Sequence, residues 1–463
     1  MTSVAWGTVG AGRNGVAPGR SAGWVAVAVA LFVLGAGAAA CFTSPALAVA
    51  ALALPAAPLL FLAPDLAILG LIAVLPFDAL TSLDEEGALA LTRLLGIAVL
   101  GGWVLHAVAN PWRRVRLGRP GLLLLAYVTF ATVSIGWASD TEVTMAALRT
   151  LAQLFLLYAM AANVLDEWPR IARALDVLLL ATTVLAVVVL AEAATGVGRA
   201  VLRYGDYEVN PNFMAAQLAV PAAAALAIRA RRAPFGGWRL VAVLPIVLAL
   251  IATGSRGGAL AFGAGLLTLA IGRPRLGARA LAALAVVVLL LPALLPDSTL
   301  HVLRHRWEMA EDDRLSGRLD IWRVGLAMIA DRPLQGTGFA GFRDAFYEYM
   351  LQTPVDPKFA LLHSRGNRVA HNIYLSTVAE LGLVGGALFG LALAAHVRTA
   401  WQLRRAALQV GDQQAEDVAL ALLAALVTLL VAGCCTELTL CKTPWLLLAA
   451  IQGAAIAAGW ERT

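Results

Sequence analysis

Charge is scarce in this chain. Of 463 residues only 14% are Asp, Glu, Lys or Arg, against about 25% in ordinary soluble proteins. Lysine is nearly absent: of 35 basic residues, only Lys358 and Lys442 are not arginine. Cysteine is confined to Cys41, Cys434, Cys435 and Cys441. Their spacing fits no metal site and no disulfide-rich secreted scaffold, so they read as small apolar helix residues. Long hydrophilic stretches are also missing, with 297–371 the one exception. That rules out a disordered chain. What is there in abundance is apolar surface: 60% of residues are hydrophobic, and mean hydropathy is +0.79. One soluble core cannot enclose that much. The chain reads as an all-α, polytopic transmembrane bundle.

A bilayer core takes about 20 apolar residues per helix. Candidate spans run roughly over 22–42, 45–63, 65–79, 88–109, 120–138, 143–164 and 171–195. They continue roughly over 213–230, 237–254, 257–272, 278–296, 372–397, 415–433 and 437–459. The piece at 65–79 is short and interrupted by Pro76, so the expected count is about twelve to fourteen. Arg13 and Arg20 precede the first segment, which is expected to be an uncleaved helix because further spans follow at once.

Arginines set the sidedness. Arg113, Arg114, Arg116 and Arg119 share one side with Arg229, Arg231, Arg232, Arg239, Arg273, Arg275, Arg279, Arg398, Arg404 and Arg405. The opposite short loops, 80–87 and 139–142, carry Asp84, Glu85, Glu86, Asp140 and Glu142 and no basic residue. By the positive-inside rule the arginine-rich side is cytoplasmic, with both termini. Residues 297–371 then lie outside, between a bundle of 1–296 and the terminal spans of 372–463.

This outer segment holds nine arginines and Lys358. Arg199 and Arg203 in the 196–212 loop, and Arg256 at a helix end, add to the outward-facing cations. Such a cluster points to an anionic partner, with lipid phosphate or pyrophosphate the natural fit for guanidinium forks. Generic contact with anionic lipid is the plainer alternative. Within the segment, Leu319, Trp322, Leu326 and Ile329 fall on one helical face, predicting an amphipathic helix over 316–331 with Ser316 as N-cap. Such a helix fits a membrane surface, roofing a cavity. Gly336-Thr337-Gly338-Phe339-Ala340-Gly341 matches G-x-G-x-x-G, but no strand precedes it and no βαβ unit surrounds it. A turn is expected there, and no dinucleotide. His371 has Arg365 and Arg368 close in sequence, which disfavours its protonation and suits a general base. Glu380 is ionisable at span depth; a structural partnership with an arginine is expected. Arg93, Arg149, Asp176 and Glu192 also fall inside spans and should face the bundle or snorkel.

Several of these residues resemble one known family. Ser316-Gly317-Arg318, Trp322, Asp331-Arg332-Pro333, Gly336-x-Gly338, Phe342, His371-Asn372-x-Tyr374 and Glu380-Leu381-Gly382-x-x-Gly385 resemble the O-antigen ligase and O-antigen polymerase superfamily. Asn210-Pro211-Asn212 and Ser255-Arg256-Gly257-Gly258 fit it as well. The resemblance covers roughly 205–390; the first 200 residues share only their hydrophobic spans. It implies a type C glycosyltransferase of the bacterial inner membrane, acting on its outer face without a metal ion or cofactor. The donor would be a glycan on undecaprenyl pyrophosphate, and the acceptor a hydroxyl of lipid A–core. A polymerase joining lipid-linked repeats is the alternative, and a lipid-linked glycan flippase is the alternative of another class. No nucleic-acid partner is implied. On this resemblance Arg256 and Arg318 hold the pyrophosphate and His371 orients or deprotonates the acceptor. Asn210, Asn212, Arg332, Arg368 and Tyr374 are the further substrate-binding candidates.

Overall fold

The structure is a computed structural model. It describes residues 63–80, 91–109, 115–197, 201–204, 207–229, 237–295, 297, 299–301, 304, 317–362 and 368–460. The expected spans at 22–42 and 45–63 lie outside these residues, apart from Ala63.

The remaining twelve spans each correspond to a helix. These are α1 (Pro64–Val74), α2 (Leu91–Ala109), α3 (Gly118–Val133), α4 (Thr141–Val164), α5 (Trp168–Glu192), α6 (Pro211–Ala227), α7 (Trp238–Ala252), α8 (Arg256–Gly272) and α9 (Pro274–Leu294). After the outer segment, with α10 (Arg318–Asp331), α11 (Phe342–Gln352) and α12 (Pro357–Leu362), come α13 (Ile373–Val410), α14 (Gln413–Gly433) and α15 (Lys442–Ala457). Among the described residues, five stretches are long and apolar enough to cross a membrane: Gly118–Trp137, Thr141–Val164, Trp168–Thr195, Ile373–Val410 and Gln413–Gly433. The protein is therefore a helical, multi-pass membrane protein. The doubtful span resolves into α1 followed by a 3₁₀ turn, Leu75–Leu80, that accommodates Pro76. A two-residue hairpin, Arg203–Tyr204 with Tyr207–Glu208, lies in the loop before α6.

Helices α6, α8 and α14 pack against one another, and small residues bring them together. Between helices in lipid there is little hydrophobic drive, so close van der Waals approach carries the association. Gly257, Ala261 and Gly265 repeat every fourth residue along α8, and all are buried. A Cβ on Gly265 would collide with Thr428 of α14 and meet Ala223 of α6.

The outer segment has its own apolar core, built from Ile321, Val324 and Met328 of α10 and Phe342, Phe346 and Met350 of α11. This corrects the expected face of α10. Leu319 and Leu326 are exposed, while Ile321, Val324 and Met328 are buried. Trp322 and Ile329 are only half-buried. The N-cap position is taken by Gly317 at φ 73°; Ser316 lies outside the described residues. The sequence periodicity located the helix but could not choose between its two apolar stripes.

Helix α13 is broken at Gly382, whose φ is 64° and ψ −172°. A break frees backbone groups that a membrane helix must satisfy elsewhere. Here the glycine turn does so. Thr337 N donates to Ala379 O (3.0 Å), Gly338 N to Glu380 O (2.8 Å), and Leu383 N to Pro333 O (2.7 Å). A side chain at Gly336 would collide with the Glu380 backbone, and one at Gly382 with Leu334. The turn is also pinned to the α3–α4 corner: Phe339 N donates to Ser134 Oγ (3.0 Å) and Trp137 Nε1 to Gln335 O (3.0 Å). The G-x-G-x-x-G match is thus a backbone docking element, as its lack of a βαβ context implied. Glu380 is a structural partner, though of the backbone and not of an arginine. Its Oε2 accepts from Ala340 N (2.9 Å) and its Oε1 from Ser376 Oγ (3.1 Å).

Candidate functional site

Three helix N-termini meet on the side expected to face outward. Asn210 caps α6, accepting from Asn212 N at 2.9 Å. Ser255 caps α8, its Oγ accepting from Gly258 N at 3.0 Å. Asn372 caps α13, accepting from Tyr374 N and Leu375 N. Each such cap is worth about 1 kcal/mol. Ser255 Oγ also donates to Asn212 Oδ1 at 2.7 Å, which ties the first two caps together. The C-terminal turn of α14 sits between them and α13. A Cβ on Gly257 would lie 2.6 Å from Cys435, and one on Gly433 2.6 Å from Ile373. Convergent helix N-termini present a partial positive charge to anything on the outer side.

The arginines add full charges. Arg256 occupies the first position of α8, is exposed, and has no ion-pair partner among the described residues. Arg318 is half-buried at the start of α10, near enough to His371 to influence its titration. Arg368 has a buried Nε without a hydrogen-bond partner among the described residues. Three arginines expected on the opposite side behave differently. Arg239 Nε meets Asp176 at 2.7 Å. Arg229 meets Glu416 and Asp417, each at 2.8 Å, and Arg273 meets both acids as well. Arg229, Arg239 and Arg273 are thus neutralised by carboxylates, whereas Arg256, Arg318 and Arg368 have no ion-pair partner among the described residues.

His371 completes the group. The indole Nε1 of Trp322 donates to Ala370 O at 3.1 Å, fastening the 368–372 loop to α10. His371 adopts φ 51°, in the left-handed region. Burial, then Arg318, then Arg368 push its pKa down to about 4. The imidazole is therefore neutral at physiological pH and able to take a proton.

The other candidates separate. Tyr374 donates its hydroxyl to Leu430 O at 2.8 Å, clamping α13 to α14. Arg332 closes the far end of α10, 3.6 Å from Asp331. With 1.5 Å per residue, the length of α10 sets it about 20 Å from Arg318. Asn210 and Asn212 are occupied in capping and bridging. Ser255 and Asn372 were not singled out from the sequence as site-forming, although a Ser or Asn directly before an apolar run is a helix-start signal. Arg149 is exposed on α4. The side chains of Arg93 and Arg203, and residues Arg199, His363 and Arg365, lie outside those described.

The fold and site thus define a multi-pass helical membrane protein with cationic, histidine-bearing residues where three helix N-termini meet. Residues 240–390 match the family described as O-Antigen ligase, which supports membership of the O-antigen ligase superfamily. The matched stretch runs from α7 past the break in α13, and so contains Arg256, Arg318 and His371. No curated protein matches the chain.

Proposed function

We propose that this protein is a glycosyltransferase of the bacterial inner membrane that works on its outer, periplasmic face. It moves a glycan from undecaprenyl pyrophosphate to a hydroxyl acceptor, as an O-antigen ligase acting on lipid A–core. The observation that carries this reading is a neutral His371 flanked by Arg318 and Arg368, at the meeting of three helix N-termini of which one begins with Arg256; none of the three arginines has an ion-pair partner among the described residues. The acceptor oxygen forms a bond to the anomeric carbon as the carbon–oxygen bond to the pyrophosphate breaks, with inversion. The acceptor proton passes to His371 and the bonding electron pair leaves with the pyrophosphate. Charge grows on that leaving group, and fixed cations beside it lower the barrier. Arg256 and Arg318 take this role, with Arg368 beside them. Pyrophosphate leaves readily as an anion, so neither a general acid nor a metal ion is required.

The test is transfer of lipid-linked glycan by protein in vesicles. Arg256→Ala, Arg318→Ala and His371→Ala each lose transfer while still inserting and accumulating. Full activity in His371→Ala removes the base assignment. In a deletion strain, full-length glycan left on the lipid carrier marks a ligase. Single capped repeats at the surface would mark the polymerase alternative.

A further inference from the structure

We propose that α10 and the turn that follows it form an in-plane membrane element. On this reading Leu319, Leu326, Ala330 and Leu334 sit in the hydrocarbon of the outer leaflet, and Arg323 reaches the lipid phosphates. The proposal does not depend on the reaction assigned above.

The stripe itself comes first. Leu319, Arg323, Leu326 and Ala330 are all exposed and step by 4, 3 and 4 along α10, one narrow helical face. It lies opposite the buried stripe of Ile321, Val324 and Met328. Leu326 is 59% exposed and Leu334, just beyond the helix, 66%. Left in water, these side chains forfeit the stabilisation that burial of apolar surface brings.

Depth comes from α13. Above Arg398, at its cytoplasmic end, the helix carries no charge until Glu380. Counting about 20 residues upward from Arg398 reaches Val378, so Gly382 lies about 6 Å within the hydrocarbon core. Leu334 packs directly on Gly382, and Pro333 O accepts from Leu383 N. The C-terminal end of α10 therefore sits at the outer core boundary, with Leu334 directed inward and the exposed Asp331 and Arg332 reaching the headgroup layer. Leu383 is itself 54% exposed on this spanning helix. The stripe of α10 is thus continuous with a lipid-facing surface.

The backbone agrees. Irregular chain at hydrocarbon depth is tolerated only where its polar groups are satisfied. Every amide from Gly336 to Gly341 donates a hydrogen bond, to Arg332 O, Ala379 O, Glu380 O, Ser134 Oγ, Glu380 Oε2 and Gly338 O in turn. An aqueous loop has no such requirement. Arg323 rises from the same face and is ion-paired to Asp320 through one nitrogen, leaving other donors for lipid phosphate.

The experiment places the photocrosslinker p-benzoylphenylalanine singly at Leu319, Leu326, Leu267 and Glu348 of the full chain, in nanodiscs of phosphatidylethanolamine and phosphatidylglycerol. Leu267 is a lipid-facing position on α8, 60% exposed; Glu348 is exposed on α11. Irradiation followed by intact mass measurement is expected to give phospholipid adducts at Leu319 and Leu326 at the yield seen for Leu267, and none at Glu348. Yields at both stripe positions equal to that of Glu348 overturn the proposal. So does a product of doubled protein mass, which would place a second copy on the stripe. If either stripe variant fails to purify as a single species, Leu334 takes its place.

Discussion

His371 joins two properties at one residue: a left-handed backbone and a pKa held near 4. Both come from being wedged between α10 and the start of α13, with two guanidiniums facing it. The sign of the consequence follows. The folded state binds this proton less readily than the unfolded chain, whose ordinary value is 6.5. The stability His371 contributes is full above that value and is lost as pH falls from 6.5 towards 4. As a base it stays competent in mild acid, so the acidic limb of the transfer rate is expected near pH 4. Arg318→Gln removes one of the depressing charges, and that limb should move towards neutrality; an unmoved limb assigns the pH dependence to another group. His371→Asn is the cleaner companion to the alanine variant, because Asn tolerates the left-handed region. It should cost about 10²–10⁴-fold in transfer, with thermal unfolding in detergent unchanged. The candidate base was legible in the sequence from its arginine neighbours. The half-burial that dominates its pKa was not, because Arg318 and Trp322 are some fifty residues away in the chain.

At the scale of elements, the break in α13 and the glycine turn make one unit. The glycines at 336, 338 and 382 stood out in the sequence, but their purpose needed the pairing of the two backbones. Glu380 shows the same limit: its depth was legible, its partner was not, since a backbone amide leaves no signature. Glu380→Gln keeps an acceptor for Ala340 N and should leave the melting temperature of the purified protein nearly unchanged. Glu380→Ala leaves that amide unpaired, at about 1–3 kcal/mol, and should lower it clearly. Equal melting temperatures for the two would remove Glu380 from its bracing role. Gly336→Ala should fail to accumulate, because its side chain meets backbone and not a flexible neighbour.

Across the whole molecule, the arginine excess divides by side. On the side expected to be cytoplasmic, Glu416 and Asp417, at the start of α14, gather Arg229 from the end of α6 and Arg273 from the end of α8. Arg404 of α13 approaches Glu416 at 3.8 Å and donates to Gly272 O at 2.7 Å. Four spanning helices are tied at one point. Arg273→Ala leaves the buried Glu416 short of a partner. Removing one member of a buried pair costs about 3–5 kcal/mol, and the remaining arginines should hold the loss to the low end, read as a lower melting temperature. On the side expected to face outward, Arg323 and Arg332 meet Asp320 and Asp331, while Arg256, Arg318 and Arg368 have no ion-pair partner among the described residues. Sidedness itself is tested by fusion: alkaline phosphatase attached after Thr353 should be active, and after Asp412 inactive.

Taken alone, the sequence was enough to establish a helical membrane bundle, and it carries an expected sidedness and a long hydrophilic segment with its arginines and histidine. Apolar run length and charge asymmetry are local properties, and the bilayer reads them directly. Only the tertiary structure decided which arginines are spent on carboxylates and which remain available. It also decided which stripe of α10 is buried, and that the glycine motif mends a broken helix. Those outcomes depend on contacts between residues tens to hundreds of positions apart, where neither periodicity nor composition carries a signal.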